Sequence, residues 1–382
     1  MPDRKQIHIA LDCRYAQSHF PGIGRYVYNL AAGFTELTEP SFQLSLIYNA
    51  SNTSYDFAKL VASSGKHIEI ISTKIKPFSP TEQWQLPLLA KRHRFTLWHA
   101  PYYIRPYLMP CPVILTAYDL IGKIVQGALP GKKARLAFEL TTRLAFRSSQ
   151  RIITLSHSAA EDITRLYKVN PEKLRVIAPG IEPKFQPLNK NEAARLRHQM
   201  QLPEQYVLFI GTNKPHKNLN RLLEAFTLYL QRHPESSIQL VLAGREDPRY
   251  SPEIRAKVGK LGLTGRVVFM GNISDTQLVT LYNCATLYIQ PSLYEGFGLP
   301  ILEAQACGLP VICSNRGSLA EAAGEHVPLF DPYNPLDIVN KIELMLNDTV
   351  LMLQMRELGL ARIAEFSLKK AAEATLKIYN EV

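Results

Sequence analysis

The stretch Gln290-Pro-Ser-Leu-Tyr-Glu-Gly-Phe-Gly-Leu-Pro-Ile-Leu-Glu-Ala-Gln-Ala-Cys-Gly-Leu-Pro310 decides how the chain folds. An apolar run ends at Gln290-Pro291 and reads as a strand. The loop after it carries Glu295, Gly296 and Gly298. Pro300 suits the first turn of a helix, which then runs to Ala306. Glycines just ahead of a helix let backbone N–H groups and the helix dipole face an anion. The two glutamates have different surroundings. Glu295 lies on the loop, whereas Glu303 lies inside the helix, where a carboxylate can accept from a sugar hydroxyl. Judged by its glycines alone, the loop is more often an ordinary tight turn with two solvated acids.

Outward from this unit, strands at Tyr206–Ile210, Gln239–Ala243, Val267–Met270, Leu287–Gln290 and Pro310–Cys313 alternate with helices. Those helices fall at Asn218–Arg232, Ser251–Leu261, Ser274–Cys284 and Leu299–Ala306. The first half repeats the alternation, with strands at Ile7–Leu11, Phe42–Tyr48, Leu97–Ala100, Val113–Thr116, Arg151–Leu155 and a short one at Val176–Ile177. Its helices are Gly24–Gly33, Lys132–Arg147 and Ser158–Tyr167, the last with Glu161 placed for a capping box. Pro179-Gly-Ile-Glu-Pro183 and Pro187 break the periodicity, so the linker falls at about Ala178–Lys190. The expected fold is α/β, with two Rossmann-like domains facing each other across a cleft. The domains are residues 1–182 and 190–367, and the terminal helix at about 368–382 is expected to pack back on the first.

The 382 residues are 46% hydrophobic and 20% charged, the balance of a globular protein. No apolar run is long enough to span a membrane, and no signal peptide is apparent. Five cysteines form no CxxC pair. This excludes a disulfide scaffold and a zinc site, and the cysteines read as buried small apolar residues. From Lys66 to Arg175, 18 Lys or Arg stand against 7 Asp or Glu, an excess equal to the whole chain's +11. A basic face of this kind suits phosphates, nucleic acid or an anionic membrane, or is a solvated surface without a partner.

Glu295–Ala304 closely resembles the signature of the retaining glycosyltransferases of family four, which have the GT-B fold. Further segments carry the same resemblance. They are Gly22-Ile-Gly-Arg-Tyr26, His99-Ala-Pro101, Thr116-Ala-Tyr-Asp-Leu120, Ser156-His-Ser-Ala-Ala-Glu-Asp162, Pro179-Gly-Ile181, Gly211-Thr-Asn-Lys-Pro-His-Lys-Asn218, Gly271-Asn-Ile273 and Gly308-Leu-Pro-Val311. The resemblance implies that Lys217 binds a donor diphosphate, helped by amides of Gly296, Phe297, Gly298 and Leu299. It further implies that Glu295 contacts the donor sugar, Glu303 the nucleotide ribose, and Asn272 and Ile273 the base. A phosphate pair needs cations and N–H donors, and ribose needs acceptors. Where the family commonly has an arginine, this chain has Thr212, Asn213 and His216. Lys214 substitutes as a point charge without a bidentate fork, and His216 adds little charge at neutral pH. Gly22 and Gly24 are expected in a loop between the first strand and first helix, approaching the donor phosphates. Many family members have a histidine where Tyr118 stands. Asp119 either orients an acceptor hydroxyl or caps the following turn, and His99 is either a catalytic group or a satisfied structural histidine.

The implied activity is retaining, metal-independent transfer of a hexose from a nucleotide diphospho-sugar to a glycan or lipid-linked hydroxyl in surface polysaccharide biosynthesis. The favoured donor is GDP-mannose, with no separate cofactor. Both tryptophans, Trp84 and Trp98, lie in the basic segment, and Lys74–Arg94 mixes apolar and basic residues. A cytoplasmic protein, peripheral on the inner face of the cell membrane, is therefore expected. The prolines Pro77, Pro80 and Pro87 weaken any helix there. Two alternatives remain: a non-catalytic sugar-nucleotide-binding homologue, and a basic nucleic-acid-binding protein, although no nucleic-acid-reading motif is present. A dinucleotide-dependent oxidoreductase is disfavoured, because Gly22-x-Gly24 is not continued as Gly-x-Gly-x-x-Gly.

Overall fold

A computed structural model describes residues 7–17, 21–37, 42–51, 53, 55–62, 67–129 and 131–382. The chain divides into two compact units. The first comprises Met1–Lys123, Leu129–Glu182 and Glu365–Val382, and the second Ile124–Ala128 and Pro183–Ala364.

In the first unit β1 (Ile7–Asp12), β2 (Phe42–Tyr48), β3 (Ile68–Ser72), β4 (Leu97–Ala100), β5 (Val113–Ala117), β6 (Arg151–Thr154) and β7 (Leu174–Val176) form one parallel sheet in the order β3-β2-β1-β4-β5-β6-β7. The central strands are buried along their length, as a parallel sheet covered on both faces requires. On one face, Leu86 and Ala90 of helix Glu82–His93, Ala145 and Phe146 of Gly131–Ser148 and Ile163 of His157–Tyr167 pack on Trp98, Leu115 and Ile152. Elsewhere in this unit helix Pro21–Thr35 packs against the terminal helix Leu368–Tyr379. Their approach requires Gly33, since a Cβ there would lie 2.2 Å from the Leu368 carbonyl oxygen.

The second unit holds β8 (Tyr206–Ile210), β9 (Gln239–Ala243), β10 (Val267–Gly271), β11 (Leu287–Gln290), β12 (Val311–Ser314) and β13 (Leu329–Phe330), parallel and ordered β10-β9-β8-β11-β12-β13. Its core joins Leu222, Leu223 and Phe226 of helix Leu219–Arg232 and Ile338 and Ile342 of Pro335–Asn347 to Phe209, Leu240, Ile289 and Ile312. The α/β class with two Rossmann-like units is the one the sequence pattern gives.

Four local readings are corrected. Gly22 and Gly24 lie in the first turn of helix Pro21–Thr35, not in a loop before it, because Pro21 starts the helix. Ser156 rather than Ser158 caps the helix His157–Tyr167, its Oγ accepting the Ala159 amide at 3.1 Å; Glu161 takes no part in a capping box. Helix Glu82–His93 forms although Pro87 removes one backbone donor from it. Burial of Glu82, Leu86 and Ala90 outweighs that loss. Cys111 is half-buried, whereas the other four cysteines are buried and all five are free. Among the described residues no helix is long and apolar enough to cross a membrane.

Candidate functional site

In the second sheet β9 and β10 lie on one side of β8, and β11, β12 and β13 on the other. The strand order reverses between β8 and β11, and the carboxyl ends of strands at such a switch point are where ligands bind in open α/β sheets. The Gly211–Asn218 loop leaves β8 and the Pro291–Gly298 loop leaves β11. The two are tied together. The Leu293 amide donates to the His216 carbonyl at 2.8 Å, and the Asn218 side-chain amide donates to the carbonyls of Pro291 at 3.1 Å and Pro332 at 2.7 Å.

Lys217 and Glu295, 78 positions apart, meet here, Nζ to Oε1 at 2.6 Å. The same Oε1 accepts from the Ser292 hydroxyl at 2.6 Å and the Gln290 side-chain amide at 3.0 Å. Gln290 is itself oriented by the Tyr288 hydroxyl. Among the described residues Oε2 accepts no hydrogen bond, so it is the oxygen left for a ligand. Burial alone would raise the Glu295 carboxyl. Lys217, His216 and the Lys217 and Ser292 hydrogen bonds outweigh it and hold the group below the usual carboxylate range. His216 is pushed down to about 4 by burial and by the charge of Lys217, so it is neutral at physiological pH. Lys214 is exposed, and no ion pair holds it among the described residues.

Gly298 stands at φ +113, where a side chain would be strained, and turns the chain into helix Leu299–Ala306. No side chain caps this start, and Pro300 in the first turn has no N–H. The amides of Gly298 and Leu299 point to no acceptor among the described residues, an arrangement suited to an anion. Glu303, one turn further, is 3% exposed, and one of its oxygens accepts from the Tyr282 hydroxyl at 2.8 Å. Gly244 and Gly271 end the neighbouring strands β9 and β10. Gly244, at φ +125, would place a Cβ 2.6 Å from the Gly211 carbonyl oxygen, so the β8 loop depends on glycine there. Asn272 is exposed and Ile273 half-buried, just beyond β10. Thus Lys217, Glu295, Gly296, Phe297, Gly298, Leu299 and Glu303 come from two loops and one helix start at the switch point. Asn272 and Ile273 lie at the end of an outer strand of the same sheet.

Tyr282, Gln290 and Ser292 were not singled out from sequence. Nor was Arg245, exposed and without an ion pair among the described residues, directly after Gly244.

In the first unit His99 is wholly buried. Its Nδ1 is 2.6 Å from the Tyr379 hydroxyl and its Nε2 2.7 Å from the Thr116 hydroxyl. Burial pushes it down to about 3. Both nitrogens are occupied and the ring is neutral, so His99 cross-links β4 to Thr116 of β5 and to Tyr379 of the terminal helix. Asp119 caps the next turn, its Oδ1 accepting the Ile121 amide at 2.9 Å. Gly22 and Gly24 lie at a helix start, where a Cβ on Gly24 would meet Tyr55 at 3.1 Å and a Cβ on Gly22 nothing. The Tyr118 hydroxyl is buried without a partner among the described residues, edge-on to Tyr26. A buried ion cluster also lies in this unit. Arg14 binds both oxygens of Asp12 at 2.8 Å and Glu82 at 3.0 Å. Among the described residues no group of three or more His, Cys, Asp or Glu side chains is placed to hold a metal ion.

Residues 21–185 match the family model described as Glycosyltransferase Family 4, and residues 191–361 the model described as Glycosyl transferases group 1. The serotype-specific mannosyltransferase WbdA of Escherichia coli is 27% identical over 277 residues, covering 72% of this chain and 34% of WbdA, so the chain spans about a third of that relative's length. The O-antigen chain mannosyltransferase B of Escherichia coli is 29% identical over 292 residues, 74% of each chain. The crystal structure of Anabaena Alr3699/HepE in complex with UDP and glucose superposes with a TM-score of 0.77 at 18% identity, covering 99% of this chain and 100% of that one. At that identity the likeness speaks for the fold.

Proposed function

The chain belongs to the glycosyltransferases of family four, and from that premise we propose that it transfers a hexosyl group, mannose in the favoured case, from a nucleotide diphospho-sugar to a hydroxyl of a glycan or lipid-linked acceptor. One observation carries the reading: the Lys217–Glu295 pair stands beside the uncapped helix start at Gly298–Leu299, at the point where the strand order reverses. In the transfer the bond from the anomeric carbon to the diphosphate oxygen breaks, and the acceptor oxygen forms its bond to that carbon on the same face. The acceptor's proton leaves with the departing diphosphate. Negative charge grows on the diphosphate, so stabilising that charge is the main task. Lys217 and the amides of Gly298 and Leu299 do this, with Gly296 and Phe297 shaping the turn. Lys214 and Arg245 are further cations on the same strand ends. Glu295 offers Oε2 to the sugar, Glu303 faces the ribose from a carboxylate steadied by Tyr282, and Asn272 and Ile273 flank the base. No step in this reading uses a metal. Asp119 positions the acceptor hydroxyl while it caps its turn.

The mannosyltransferase relatives support mannose as the transferred hexose and a role in surface polysaccharide assembly. We further propose GDP as its carrier and a place on the inner face of the cell membrane. A thermal-shift panel of GDP, UDP, ADP and dTDP tests the donor, because a ligand that binds only the folded chain raises its stability with concentration. GDP is expected to give the largest shift, and Glu303→Ala to abolish it. An unchanged shift in that variant refutes the ribose assignment, and no shift with any nucleotide refutes the donor site. Release of GDP from GDP-mannose separates a transferase from a homologue that only binds.

A further inference from the structure

Helix Gly131–Ser148 turns Thr142, Ala145 and Phe146 into the core of the first unit. Its outward side is not the polar face expected of a surface helix. Leu136, Leu140 and Leu144, at i, i+4 spacing, are 71%, 57% and 39% exposed. The same arc of the helix carries Lys133, Arg143 and Arg147. Its single acid, Glu139, lies at the flank and is held by Lys123 at 2.7 Å and Arg143 at 2.9 Å. Lys132, Lys133, Arg135 and Arg147 have no ion pair among the described residues.

Beyond the carboxyl end of this helix is a cavity of about 570 Å³ with Arg143, Arg147, Lys168 and Lys173 among its walls and no acid lining it. Lys168 is exposed at a left-handed residue, φ +55, that closes helix His157–Tyr167. Helix Glu82–His93 covers the same face of the sheet and adds exposed Trp84 and Leu88, with Leu108 close in the fold through the Gln83 to Arg105 hydrogen bond. Trp98, the other tryptophan of the basic segment, is wholly buried and contributes nothing to this surface.

Leucines in a row among cations, most of them without an ion pair among the described residues, suit the boundary between headgroups and acyl chains of an anionic bilayer. Charge decides between occupants, because a second copy of the same face would bring like charges together. We propose that helix Gly131–Ser148 lies in the surface of an anionic bilayer. Its leucines enter the acyl boundary, and the cavity of Arg143, Arg147, Lys168 and Lys173 seats a lipid phosphate headgroup. This deepens the membrane reading of the proposed function by naming the contact, and it does not depend on the donor assignment.

The test is sedimentation of the full chain with vesicles of phosphatidylcholine alone, or of phosphatidylcholine and phosphatidylglycerol in equal parts. Binding is expected only to the second and is expected to weaken with salt. Arg147→Gln with Lys168→Gln should weaken it about fivefold per charge removed. Leu140→Ser with Leu144→Ser should weaken it about tenfold. Both pairs are surface changes and should leave the nucleotide thermal shift of the chain as it was, which separates this proposal from the donor site. Three results would each overturn it. One is no binding to phosphatidylglycerol vesicles at low salt. Another is binding that neither pair alters. The third is loss of a dimer in sedimentation equilibrium by the leucine pair, with lipid binding unchanged.

Discussion

Replacing Lys217 by methionine keeps the aliphatic stem and deletes the ammonium. The Glu295 carboxylate then retains the Ser292 hydroxyl at 2.6 Å and the Gln290 amide at 3.0 Å but loses its cation at 2.6 Å. Breaking a fully buried pair costs roughly 3–5 kcal/mol, and one charge-assisted hydrogen bond is worth roughly 1.5–3 kcal/mol. The two side chains are 16% and 12% exposed and two neutral donors remain, so the loss should be about 2 kcal/mol. For a unit of this size that is roughly a 4–8 °C fall in Tm. Glu295→Gln should cost less, about 1 kcal/mol, because the released ammonium can hydrate. The double variant leaves neither charge stranded and should recover about 1.5 kcal/mol of the summed loss. Nucleoside diphosphate binding, measured by calorimetry, gives the opposite pattern for the two single variants. Lys217→Met should weaken it by roughly tenfold to a hundredfold. Glu295→Gln should strengthen it, by freeing the lysine and removing a like charge, while slowing turnover. In the methionine variant burial becomes the main influence on Glu295 and raises its carboxyl. Its stability deficit should therefore shrink on acidification and grow as pH rises. Additive unfolding energies in urea, or a Glu295→Gln variant that loses the nucleotide as badly as Lys217→Met, would show that the pair is not the diphosphate clamp.

Burial lifts Glu82 to about 7 despite Arg14, so the folded chain holds a proton that the unfolded chain gives up near the ordinary value of 4.5. The stability it contributes is present below pH 4.5 and lost as pH rises through 7; Glu82→Gln should flatten urea midpoints between pH 5 and 8 where the wild type declines. His99→Gln should destabilise the fold by about 2 kcal/mol through loss of one of its two buried hydrogen bonds. It should leave turnover per folded molecule intact, and the His99 ring should show no titration by NMR between pH 5 and 8. Gly244→Ala should cost at least about 2 kcal/mol and disturb nucleotide binding, since its Cβ would press on Gly211. Gly262→Ala, at φ +68 with open space around it, should cost only about 1 kcal/mol and leave binding unchanged.

The parts of this molecule that can be read from sequence are those set by near neighbours. Leu299–Ala306 begins where glycine and proline place it, and buried strands such as Tyr206–Ile210 stand out as unbroken apolar runs. Short edge strands do not. Ile68–Ser72 interrupts its apolar run with Glu69, and Leu329–Phe330 is two residues long, so each is defined only by the strand beside it. Helix Glu82–His93 contradicts its own proline, because its stability comes from residues it buries in tertiary contact. The same distance effect governs the site. Glu295 and Gly298 are recognisable within one loop, whereas the hydroxyls that fix Glu303 and His99, those of Tyr282 and Tyr379, lie 21 and 280 positions away. Sequence left His99 open between catalysis and structure, and its contacts with Tyr379 and Thr116 could not be read from the chain.

Topology adds a final distinction that local pattern cannot supply. Each sheet reverses its strand order beside its first strand, between β1 and β4 and between β8 and β11, so each unit has a topological switch point at the corresponding place. In the second unit that place holds a lysine with carboxylate, an uncapped helix start and glycines that keep side chains out. In the first, an ion cluster and a tyrosine stand near the ends of β1 and β4. Asp12, Arg14 and Glu82 form a charge cluster with almost no exposure, and the Tyr15 hydroxyl donates to the Ile104 carbonyl just beyond β4. A buried guanidinium held by two carboxylates offers no free charge to an anion. Gly22 and Gly24 follow in the first turn of helix Pro21–Thr35. Two units of like architecture therefore differ in what stands at the switch point among the described residues: an ion cluster with almost no exposure in the first, a lysine beside an uncapped helix start in the second. On the proposed reading, the cation and amides that meet the diphosphate belong to the second unit.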